Sequence, residues 1–558
     1  MAATDIIVPD GFTLHTENTA HLLLASNEAF LNPVQEFNRD ISIACIRTWS
    51  EAHDSVKEAR WKTTQEKKAR KLQKVGEKKE RTEGDASVNA LASTSKETEG
   101  VEEASYKPYK FTLLEALSAT GLRSIRYAKE IPLLKHVIAN DLSPAAVEAM
   151  KRNVDINGLG PQPSETDGGD LGKVRINEGD ACTLMYSHRE ERKRVDVVDL
   201  DPYGTAAPFI DAAVQCVADG GLLCVTCTDL TVLATSNYPE KCFSNYGGVP
   251  VKAEYCHEAA LRLVLHAIST SAARYGRYIE PLVSLSIDFY VRVFVRVRTA
   301  PLEVKKALSK TANYYVCSFC QTPYEQPLGK VIEKAHEASG NVNYLFKIQA
   351  APSVGDHCPE CNSTMHLAGP MWSGPIHDPT FIGKVLEHLE GHEGQYGTAV
   401  RIKGMLTVAK EASSSILWQE LNTPFYFTPA KVASFFHCTT PSLDDVASAL
   451  LHTGYKVSRS HACAGSLKTD ATRRIVHDVY RNWVKKHPVK MENVGEKSQA
   501  RILLGKEPGF EANFSKHPDS VTRSSQVKLV RYQENPTSHW GPGTRASGAK
   551  RKREKDDE

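Results

Sequence analysis

The chain has no long apolar run, no excess of either charge and no dense set of cysteines. Its 69 Lys and Arg residues nearly balance 67 Asp and Glu residues, for a net charge of +2. Any nucleic-acid surface must therefore be local. No apolar stretch approaches the roughly 20 residues that cross a bilayer, so the sequence predicts no membrane-spanning segment. The N-terminus lacks a basic start followed by an apolar run, and we expect no secretory signal.

The 13 cysteines are mostly scattered through 558 residues, which favours a reducing compartment over a disulfide framework. This length is too great for one hydrophobic core, so several domains are expected. The composition predicts an ordered N-terminal segment (1–50) packed on an α/β domain (108–300), with a charged and partly disordered insertion (51–107) between them. A C-terminal domain (301–545) and a disordered tail (546–558) follow.

The insertion changes character along its length. Residues 57–81 are dense in Lys and Arg, and residues 82–105 are rich in Glu, Ser, Thr and Gly. Neither part can bury enough apolar surface to offset the entropy of ordering. The first part is predicted to be an exposed charged helix and the second to be disordered. The sequence leaves open whether the insertion contacts RNA or is a surface loop without a role.

Strands and helices alternate from residue 111 onward. The predicted strands are 111–117, 136–139, 174–176, 195–200 and 221–226, and the predicted helices are 122–130, 145–153 and 206–218. This alternation indicates a doubly wound, Rossmann-like parallel sheet, which binds ligands outside the carboxyl ends of its strands.

Residues 284–297 alternate strictly between two sets of side chains. The pattern predicts one long strand with a single packed face. Arg292 and Arg296 would lie on the other face. They could meet RNA there, but pairing with Asp288 is the favoured alternative.

Helix signals return after residue 425. Thr428 precedes Pro429, and Ser442 precedes Asp445, which are N-cap patterns. Two helices, a strand at 455–458 and a helix at 471–484 follow in order. This order predicts a small helix-turn-helix or winged-helix-like unit over 425–490 within an α+β C-terminal domain.

Two acidic positions and a turn suit a nucleoside cofactor with an amino-acid tail. The turn at residues 117–123 follows the first strand, Asp141 ends the second strand, and Asp180 follows the third. A strand-end carboxylate can grip ribose hydroxyls. Gly121 is the only glycine in the turn, whereas a dinucleotide cofactor needs a glycine-rich turn whose backbone can come close to the pyrophosphate. The pattern therefore favours S-adenosylmethionine, although aspartates that cap helices would look similar.

Asp201, Pro202 and Tyr203 follow the fourth strand of the predicted sheet. The lone pair of an exocyclic amino nitrogen on guanine is delocalised, so this atom is a poor nucleophile. A carboxylate, helped by the Pro202 carbonyl, can accept its hydrogen bond and stabilise the developing positive charge. Tyr203 could stack on an extruded base. A strand end followed by an ordinary Asp-Pro turn is the alternative.

Two Cys-x-x-Cys pairs predict a structural zinc site within residues 314–372. The ligands would be Cys317, Cys320, Cys358 and Cys361, since four thiolates satisfy tetrahedral zinc without an open position. Cys224 and Cys227 have the same spacing but lie in an apolar strand, where residues three apart face opposite sides. We expect that pair to belong to the core.

Cations and aromatic residues that could contact RNA occur in two regions. Near the C-terminus, Tyr532 and Trp540 could stack on bases, but a surface strand with an anchoring Trp fits equally well. Cations of the helical unit could meet phosphates. The candidates are Arg531, Tyr532 and Trp540, together with Lys468, Arg473 and Arg474.

Several long motifs closely resemble the tRNA (guanine(26)-N(2))-dimethyltransferase family. They are FLNPVQEFNRD (30–40), LSATGLR (117–123), DLDPYG (199–204), residues 284–297 and RYQENPTSHWG (531–541). The resemblance spans nearly the whole chain apart from residues 51–107. It implies a class I methyltransferase domain that transfers one and then two methyl groups to guanosine 26 of tRNA.

By matching motif positions, the resemblance also implies roles for particular residues. Phe30 and Tyr203 would line the base pocket, and Asp201 would act on the amino group. Members of the family often have Phe where this chain has Tyr203. The implied cofactor contacts are Arg39, Arg123, Asp141, Asp180 and Ala181.

Two other functions stay open at this point. The first is a non-catalytic RNA-binding protein on a methyltransferase scaffold, which intact Asp141, Asp180 and Asp201 oppose. The second is an amino-methyltransferase acting on another RNA, DNA or protein, but such enzymes usually carry Asn-Pro-Pro-aromatic. The basic run at 550–555 suggests a nuclear location, with a mitochondrial form as an addition. The oligomeric state is open, and a monomer is compatible with the sequence.

Overall fold

The computed structural model describes residues 6–25, 33–83, 105–161, 171–336, 340–410 and 421–520. The described chain begins with an antiparallel hairpin and a helix of 48 residues, about 72 Å long at 1.5 Å per residue. These elements are β1 (Phe12–Glu17), β2 (Ala20–Ala25) and α1 (Glu36–Glu83). The charged helix predicted at 57–81 is confirmed as part of α1, and the boundary predicted at residue 50 lies inside that helix.

A seven-stranded mixed sheet forms the centre of the molecule. Its strand order is β5-β4-β3-β6-β7-β9-β8, with parallel pairing up to β7 and antiparallel pairing for β9 and β8. The strands are β3 (Phe111–Glu115), β4 (Leu134–Asp141), β5 (Val174–Glu178), β6 (Val195–Leu200), β7 (Val217–Cys227), β8 (Arg277–Ile287) and β9 (Tyr290–Thr299). The predicted α/β architecture is confirmed.

Helices cover both faces of this sheet and produce two apolar layers. Helices α5 and α8 pack on one face, and α1, α2 and α3 pack on the other. The helices of this part are α2 (Leu122–Glu130), α3 (Pro144–Ile156), α4 (Ala181–Ser187), α5 (Ala207–Cys216), α6 (Leu230–Leu233), α7 (Pro239–Tyr246) and α8 (Cys256–Ala273).

The single strand predicted at 284–297 is wrong, because the chain reverses there. Ile287 pairs with Tyr290, and the two residues between them form the turn of a hairpin. Within each strand, successive side chains still alternate between the two faces of the sheet. The reversal shifts this alternation, so the side chains on one face have odd numbers in one strand and even numbers in the other. Leu285 therefore shares a face with Phe294, while Val293 packs in the opposite layer. Both faces are buried, and no solvent-facing side of this strand pair is available for RNA near its centre.

The C-terminal part begins with a small cysteine-bearing sheet in the order β11-β10-β14 and a separate two-stranded hairpin. Two later helices return to the central sheet and share its second apolar layer with α1. The boundary predicted at residue 300 thus separates these helices from the core to which they belong. These elements are α9 (Pro301–Lys306), β10 (Thr311–Cys317), β11 (Pro323–Pro327), β12 (Gly329–Ala335), β13 (Val342–Ile348), β14 (Met365–Trp372), α10 (Pro379–Gly391) and α11 (Ala399–Lys410).

The last described unit has the helix and strand order of a winged helix. Thr428 and Ser442 cap its first two helices as predicted. The predicted strand is present at a shifted position, and a second short strand pairs with it. The elements are α12 (Pro429–Phe435), α13 (Leu443–His452), β15 (Val457–Arg459), β16 (Leu467–Thr469), α14 (Arg473–Lys486) and α15 (Gln499–Leu504). No described helix has the length and apolar character needed to cross a membrane.

Candidate active site

A cleft of about 740 Å³ opens at the carboxyl ends of β3, β4 and β6. This volume lies within the usual range for a small-molecule pocket, about 300–1,000 Å³. Its walls come from the turn after β3, the loop after β6, the start of α1 and the tip of the β8–β9 hairpin. The residues that line it include Arg39, Glu115, Ala119, Arg123, Asp141, Asp201, Pro202, Tyr203, Thr228, Phe289 and Tyr290.

The turn after β3 is tied to the end of β4. The Ser118 amide donates to the Asn140 carbonyl (2.8 Å), and the Ala119 amide donates to Asp141 Oδ2 (2.9 Å). Gly121 has a φ of +80°, and a Cβ there would lie 3.1 Å from Met150 Cγ. Glycine therefore both permits the left-handed conformation and allows α2 to start close to α3.

Asp141 reaches the cleft, as predicted from its place at a strand end. Its Oδ1 accepts a hydrogen bond from the Ser143 amide (2.9 Å), so two backbone amides orient the carboxylate. Asp180 instead caps α4 by accepting from the Thr183 amide (2.7 Å). Asp180 and Ala181 follow β5 beside this edge of the sheet but are outside the cleft lining. Their cofactor role stays a prediction.

Asp201 lies in the cleft directly after β6 and contacts the buried Arg123 guanidinium. The loop that carries it is fixed to the end of β7. Gly204 donates its amide to Thr228 Oγ1 (2.8 Å), and the Thr228 amide donates to the Gly204 carbonyl (2.8 Å). Pro202 is buried, whereas Tyr203 is 92% exposed at the rim. A rigid strand end therefore presents one carboxylate and one free aromatic ring to the cleft.

Arg123 also belongs to a buried charge network beneath Asp201. Its Nη1 donates to Ser42 Oγ (3.2 Å) and lies 3.8 Å from Asp199 Oδ2. Asp199 is fully buried and pairs with Arg292 at 2.8 Å, and Tyr127 donates to it at 2.6 Å. Burial alone would raise the pKa of Asp199, but the nearby guanidinium groups more than offset this and hold that pKa below its usual range. The carboxylate is thus ionised inside the core.

The predicted environments of Arg292 and Arg296 are wrong. Arg292 is completely buried and pairs with Asp199 instead of RNA or Asp288. Arg296 pairs with Glu280 (3.2 Å), and Asp288 pairs with Arg401 (2.7 Å). The hairpin reversal explains the difference, because it moves these side chains away from the faces that a single strand would give them.

Glu115 lines the cleft and was missed by the sequence reasoning. Burial raises its pKa to about 8, although Arg123 and Ser124 act in the opposite direction. A carboxyl group inside the mostly apolar stretch 111–117 is the available signal. Charged residues are rarely buried without a partner or a function.

Arg39 also lines the cleft, where its guanidinium is held by Glu17, with Nε 2.6 Å from Oε1. Phe30, predicted for the base pocket, lies outside the described residues. So do Arg531, Tyr532 and Trp540.

Three candidates for RNA contact remain among the described residues, and they differ. Arg474 is exposed on α14, and its contact with RNA stays a prediction. Lys468 is fully buried and pairs with Glu258 (3.2 Å), so its assignment as a phosphate contact is wrong. Arg473 is half-buried and donates to the Tyr426 carbonyl (2.8 Å). Its contact with RNA stays a prediction.

The four predicted metal ligands come together between the cysteine-bearing sheet and the winged-helix-like unit. The sulfur atoms of Cys317, Cys320, Cys358 and Cys361 all lie within 4.8 Å of one another. Tetrahedral zinc–thiolate geometry, with bonds of about 2.3 Å, requires sulfur separations of about 3.8 Å. The Cys317 and Cys361 sulfur atoms are 3.3 Å apart and those of Cys320 and Cys358 are 3.7 Å apart, so the cluster can hold such an ion. Cys224 and Cys227 are core residues, as predicted.

Comparison with known proteins gives one consistent result. The family model for N2,N2-dimethylguanosine tRNA methyltransferase matches residues 11–481. A mouse protein named tRNA (guanine(26)-N(2))-dimethyltransferase is 43% identical over 535 residues, which cover 95% of this chain and 76% of the mouse protein. The Schizosaccharomyces pombe protein of that name is 42% identical, with 94% of this chain and 91% of its own length covered.

A Saccharomyces cerevisiae relative, named tRNA (guanine(26)-N(2))-dimethyltransferase, mitochondrial, is 39% identical, with 96% of this chain and 92% of its own length covered. Among solved structures, Trm1 from Pyrococcus horikoshii in complex with S-adenosyl-L-methionine has a TM-score of 0.58 at 23% identity. The match covers 84% of this chain and 99% of the archaeal chain. That likeness shows a shared fold.

Proposed function

The chain belongs to the N2,N2-dimethylguanosine tRNA methyltransferase family, and from this premise we propose that it methylates the exocyclic amino nitrogen of guanosine 26 in tRNA. One and then two methyl groups are transferred from S-adenosylmethionine. The observation that carries the proposal is the position of Asp201, at the end of β6 and in the same cleft as Asp141.

The described residues fit this cofactor. Asp141 presents a carboxylate held by two backbone amides, and each oxygen keeps a lone pair for a ribose hydroxyl. The turn at Ala119 and Gly121 brings backbone, without bulky side chains, to the same wall. Arg39 and Arg123 supply positive charge for a carboxylate in the cofactor tail. S-adenosylmethionine, when bound, supplies an electrophilic methyl group.

Asp201 acts on the guanine amino group by accepting its hydrogen bond. This interaction shifts electron density toward the nitrogen and stabilises the positive charge that develops there. The Pro202 carbonyl is a second acceptor on the same loop. Because an ionised carboxylate only accepts hydrogen bonds, Asp201 matches a guanine edge whose ring N1 and amino group both donate. Arg123 keeps the carboxylate oriented toward the cleft.

The exposed ring of Tyr203 provides a face for the base once it leaves its stack in the RNA. Its neighbours fix the loop but leave the ring free, which suits a surface that must accept and release a planar ligand. Phe30 would line the same pocket by resemblance to the family.

The cysteine cluster holds a structural zinc ion in this proposal. Four buried thiol groups close the coordination sphere, so no position is left for catalysis. Glu360, between Cys358 and Cys361, accepts from Arg481 Nη2 on α14 at 2.9 Å. The metal loop is therefore joined to the winged-helix-like unit, and zinc would stabilise both.

Asp201→Ala and Asp201→Asn test the catalytic assignment. We expect a loss of methyl transfer of about 10²- to 10³-fold or more, with S-adenosylmethionine affinity retained in calorimetric titration. Asp444→Asn, which changes an exposed carboxylate on α13, is the control. The measurement is tritium transfer to tRNA followed by nucleoside analysis of the product.

Near-normal transfer by Asp201→Ala would remove this residue from the reaction. Methylated adenosine as the only product, or methylated protein, would point to a different amino-methyltransferase. Tight tRNA binding without any transfer by the parent protein would indicate the non-catalytic alternative.

Cys317→Ser tests the metal proposal. We expect the variant to lose zinc by atomic absorption and to unfold at a lower temperature. Cys438→Ser, at a half-buried cysteine outside the cluster, should keep the parent metal content. Equal zinc in both variants would exclude the four-cysteine site.

Nuclear localisation is a further part of the proposal. It is supported by the basic run at 550–555, outside the described residues, while the yeast relative is named as mitochondrial. Fluorescent fusions with and without residues 546–558 distinguish the two locations.

A further inference from the structure

The tip of the β8–β9 hairpin places a second exposed aromatic ring in the cleft. Phe289 is 75% exposed and lines the same cavity as Asp201 and Tyr203. Single apolar residues are common on protein surfaces, so exposure alone indicates nothing. The position of Phe289 does indicate a role, because this residue lies at the wall of the proposed catalytic cleft.

The tip is held in place through Arg401. Asp288, in the turn, has a φ of +35° and forms an ion pair with Arg401 on α11 at 2.7 Å. The Arg401 guanidinium also lies over the Phe37 ring of α1, 4.3 Å from its centroid. A left-handed conformation at a residue other than glycine costs about 1–3 kcal/mol. It persists here because the ion pair fixes the turn, and Phe289 is thereby directed at a defined place.

The spacing of the supporting strands leaves room for a planar ligand. Tyr203 follows β6 and Phe289 follows β8, with β7 between β6 and the hairpin. Adjacent strands are about 4.8 Å apart, and β6 lies two spacings from β9 and three from β8, so the supports are separated by on the order of 10–14 Å. A base held between two rings needs room for two ring–ring contacts, each with centroids about 4.5–7 Å apart. Among the described residues, neither ring contacts another aromatic side chain, so their faces are available.

We propose that Phe289 is a stacking residue for the target purine and, with Tyr203, forms the two walls between which the base is held. This inference rests on the proposed function, since it takes the ligand to be a base extruded from tRNA. Stacking on two sides would align the amino group with Asp201 without making a base-specific hydrogen bond. Recognition of guanine would then remain with Asp201, and Phe289 would control orientation.

Four variants separate stacking from simple apolar contact. Phe289→Ala should lower kcat/KM for tRNA by about 10- to 100-fold, as expected for loss of one base–aromatic contact. Phe289→Leu should show a similar loss, because it keeps the apolar volume but not the flat face. Phe289→Tyr should recover most of the activity. Leu302→Ala removes an exposed apolar side chain on α9, which follows the end of β9 farthest from the hairpin tip, and should behave as the parent.

A binding measurement isolates the contact from the chemistry. In an Asp201→Asn background, tRNA with 2-aminopurine at position 26 should lose fluorescence on binding as the base stacks. Adding Phe289→Ala should restore much of that emission, while S-adenosylmethionine affinity and the melting temperature stay unchanged.

Parent-like kcat/KM in Phe289→Ala, full activity in Phe289→Leu, or unchanged quenching would overturn the assignment. A parent protein that methylates no guanosine 26 would instead refute the proposed function. The two failures are distinguishable because the parent activity is measured first and the quenching does not depend on transfer.

Discussion

At the scale of single residues, the site depends on charges that are buried below it. Asp199 has no exposed surface, and its negative charge is compensated by Arg292 at 2.8 Å and Arg123 at 3.8 Å. Arg123 in turn contacts Asp201. The Asp201 carboxylate is therefore oriented by a network of buried charged residues.

Arg292→Met should destabilise the protein by about 3–5 kcal/mol, because it leaves Asp199 buried with a poorly compensated charge. Urea unfolding measures this change. Arg298→Met, on the same strand but 47% exposed at its side chain, should cost less than about 1 kcal/mol. Equal effects of the two substitutions would show that the buried pair has no special contribution.

A buried histidine on α8 makes stability depend on pH. His266 is 6% exposed, and burial lowers its pKa from 6.5 to about 4. The unfolded chain therefore binds a proton more readily than the folded chain between these values. The stabilisation from the neutral ring is complete above pH 6.5 and is lost as the pH falls toward 4.

His266→Leu should remove this dependence. The difference in unfolding free energy between parent and variant should change by about 2–3 kcal/mol from about pH 7.5 to about pH 4.5. Parallel urea titrations at several pH values provide the measurement. A constant difference across that range would mean that His266 does not take up a proton on unfolding.

At the scale of elements, local signals define helix starts better than they define strand partners. Ser442 accepts from the Asp445 amide at 3.1 Å, and Asp445 Oδ2 accepts from the Ser442 amide at 3.1 Å. Both groups lie within four residues of each other, so the sequence contains the whole interaction. The β8–β9 reversal depends instead on packing against α1, α11 and β7, which are distant in the chain.

Ser442→Ala should lower the free energy of unfolding by about 1 kcal/mol, because the first turn of α13 loses its side-chain acceptor. Thr472→Ala is the matched control, since Thr472 precedes α14 without making a side-chain cap bond. Thermal melts followed by circular dichroism compare the two. A larger loss from Thr472→Ala would contradict the capping argument.

At the scale of the whole molecule, the winged-helix-like unit is joined to the central domain by a buried charge cluster. Glu258 on α8 pairs with Arg262 at 2.7 Å and with Lys468 on β16 at 3.2 Å, and it accepts from the Phe425 amide. The three charged side chains are fully buried. Separating the two units would expose an incomplete ion cluster, so they are expected to unfold together.

Lys468→Met should therefore destabilise the chain by about 2–4 kcal/mol. The salt dependence of tRNA binding should stay unchanged, because a buried lysine neutralises no phosphate. Lys485→Met, at an exposed residue of α14, is the control for stability. Parent-like stability combined with a shallower salt dependence would restore Lys468 as a phosphate contact.

The sequence alone was sufficient for features that depend on near neighbours. The alternation of strands and helices, the caps at Thr428 and Ser442, and the placement of Asp141 and Asp201 at strand ends all follow from patterns a few residues long. The family resemblance is confirmed by the comparisons. The roles of Arg39, Arg123, Asp141, Asp180 and Ala181 toward a cofactor, and of Asp201 in the reaction, stay predictions.

Only the tertiary structure decided which charges are buried and which rings are exposed. Arg292 bonds to Ser42, 250 positions away, and Lys468 pairs with Glu258, 210 positions away. No local period encodes such partners. Phe289 likewise became a candidate for base stacking only because the chain reverses beside it. The physical reason is that hydrophobic periodicity reports which face of an element is covered, whereas the identity of the covering group depends on how distant elements pack.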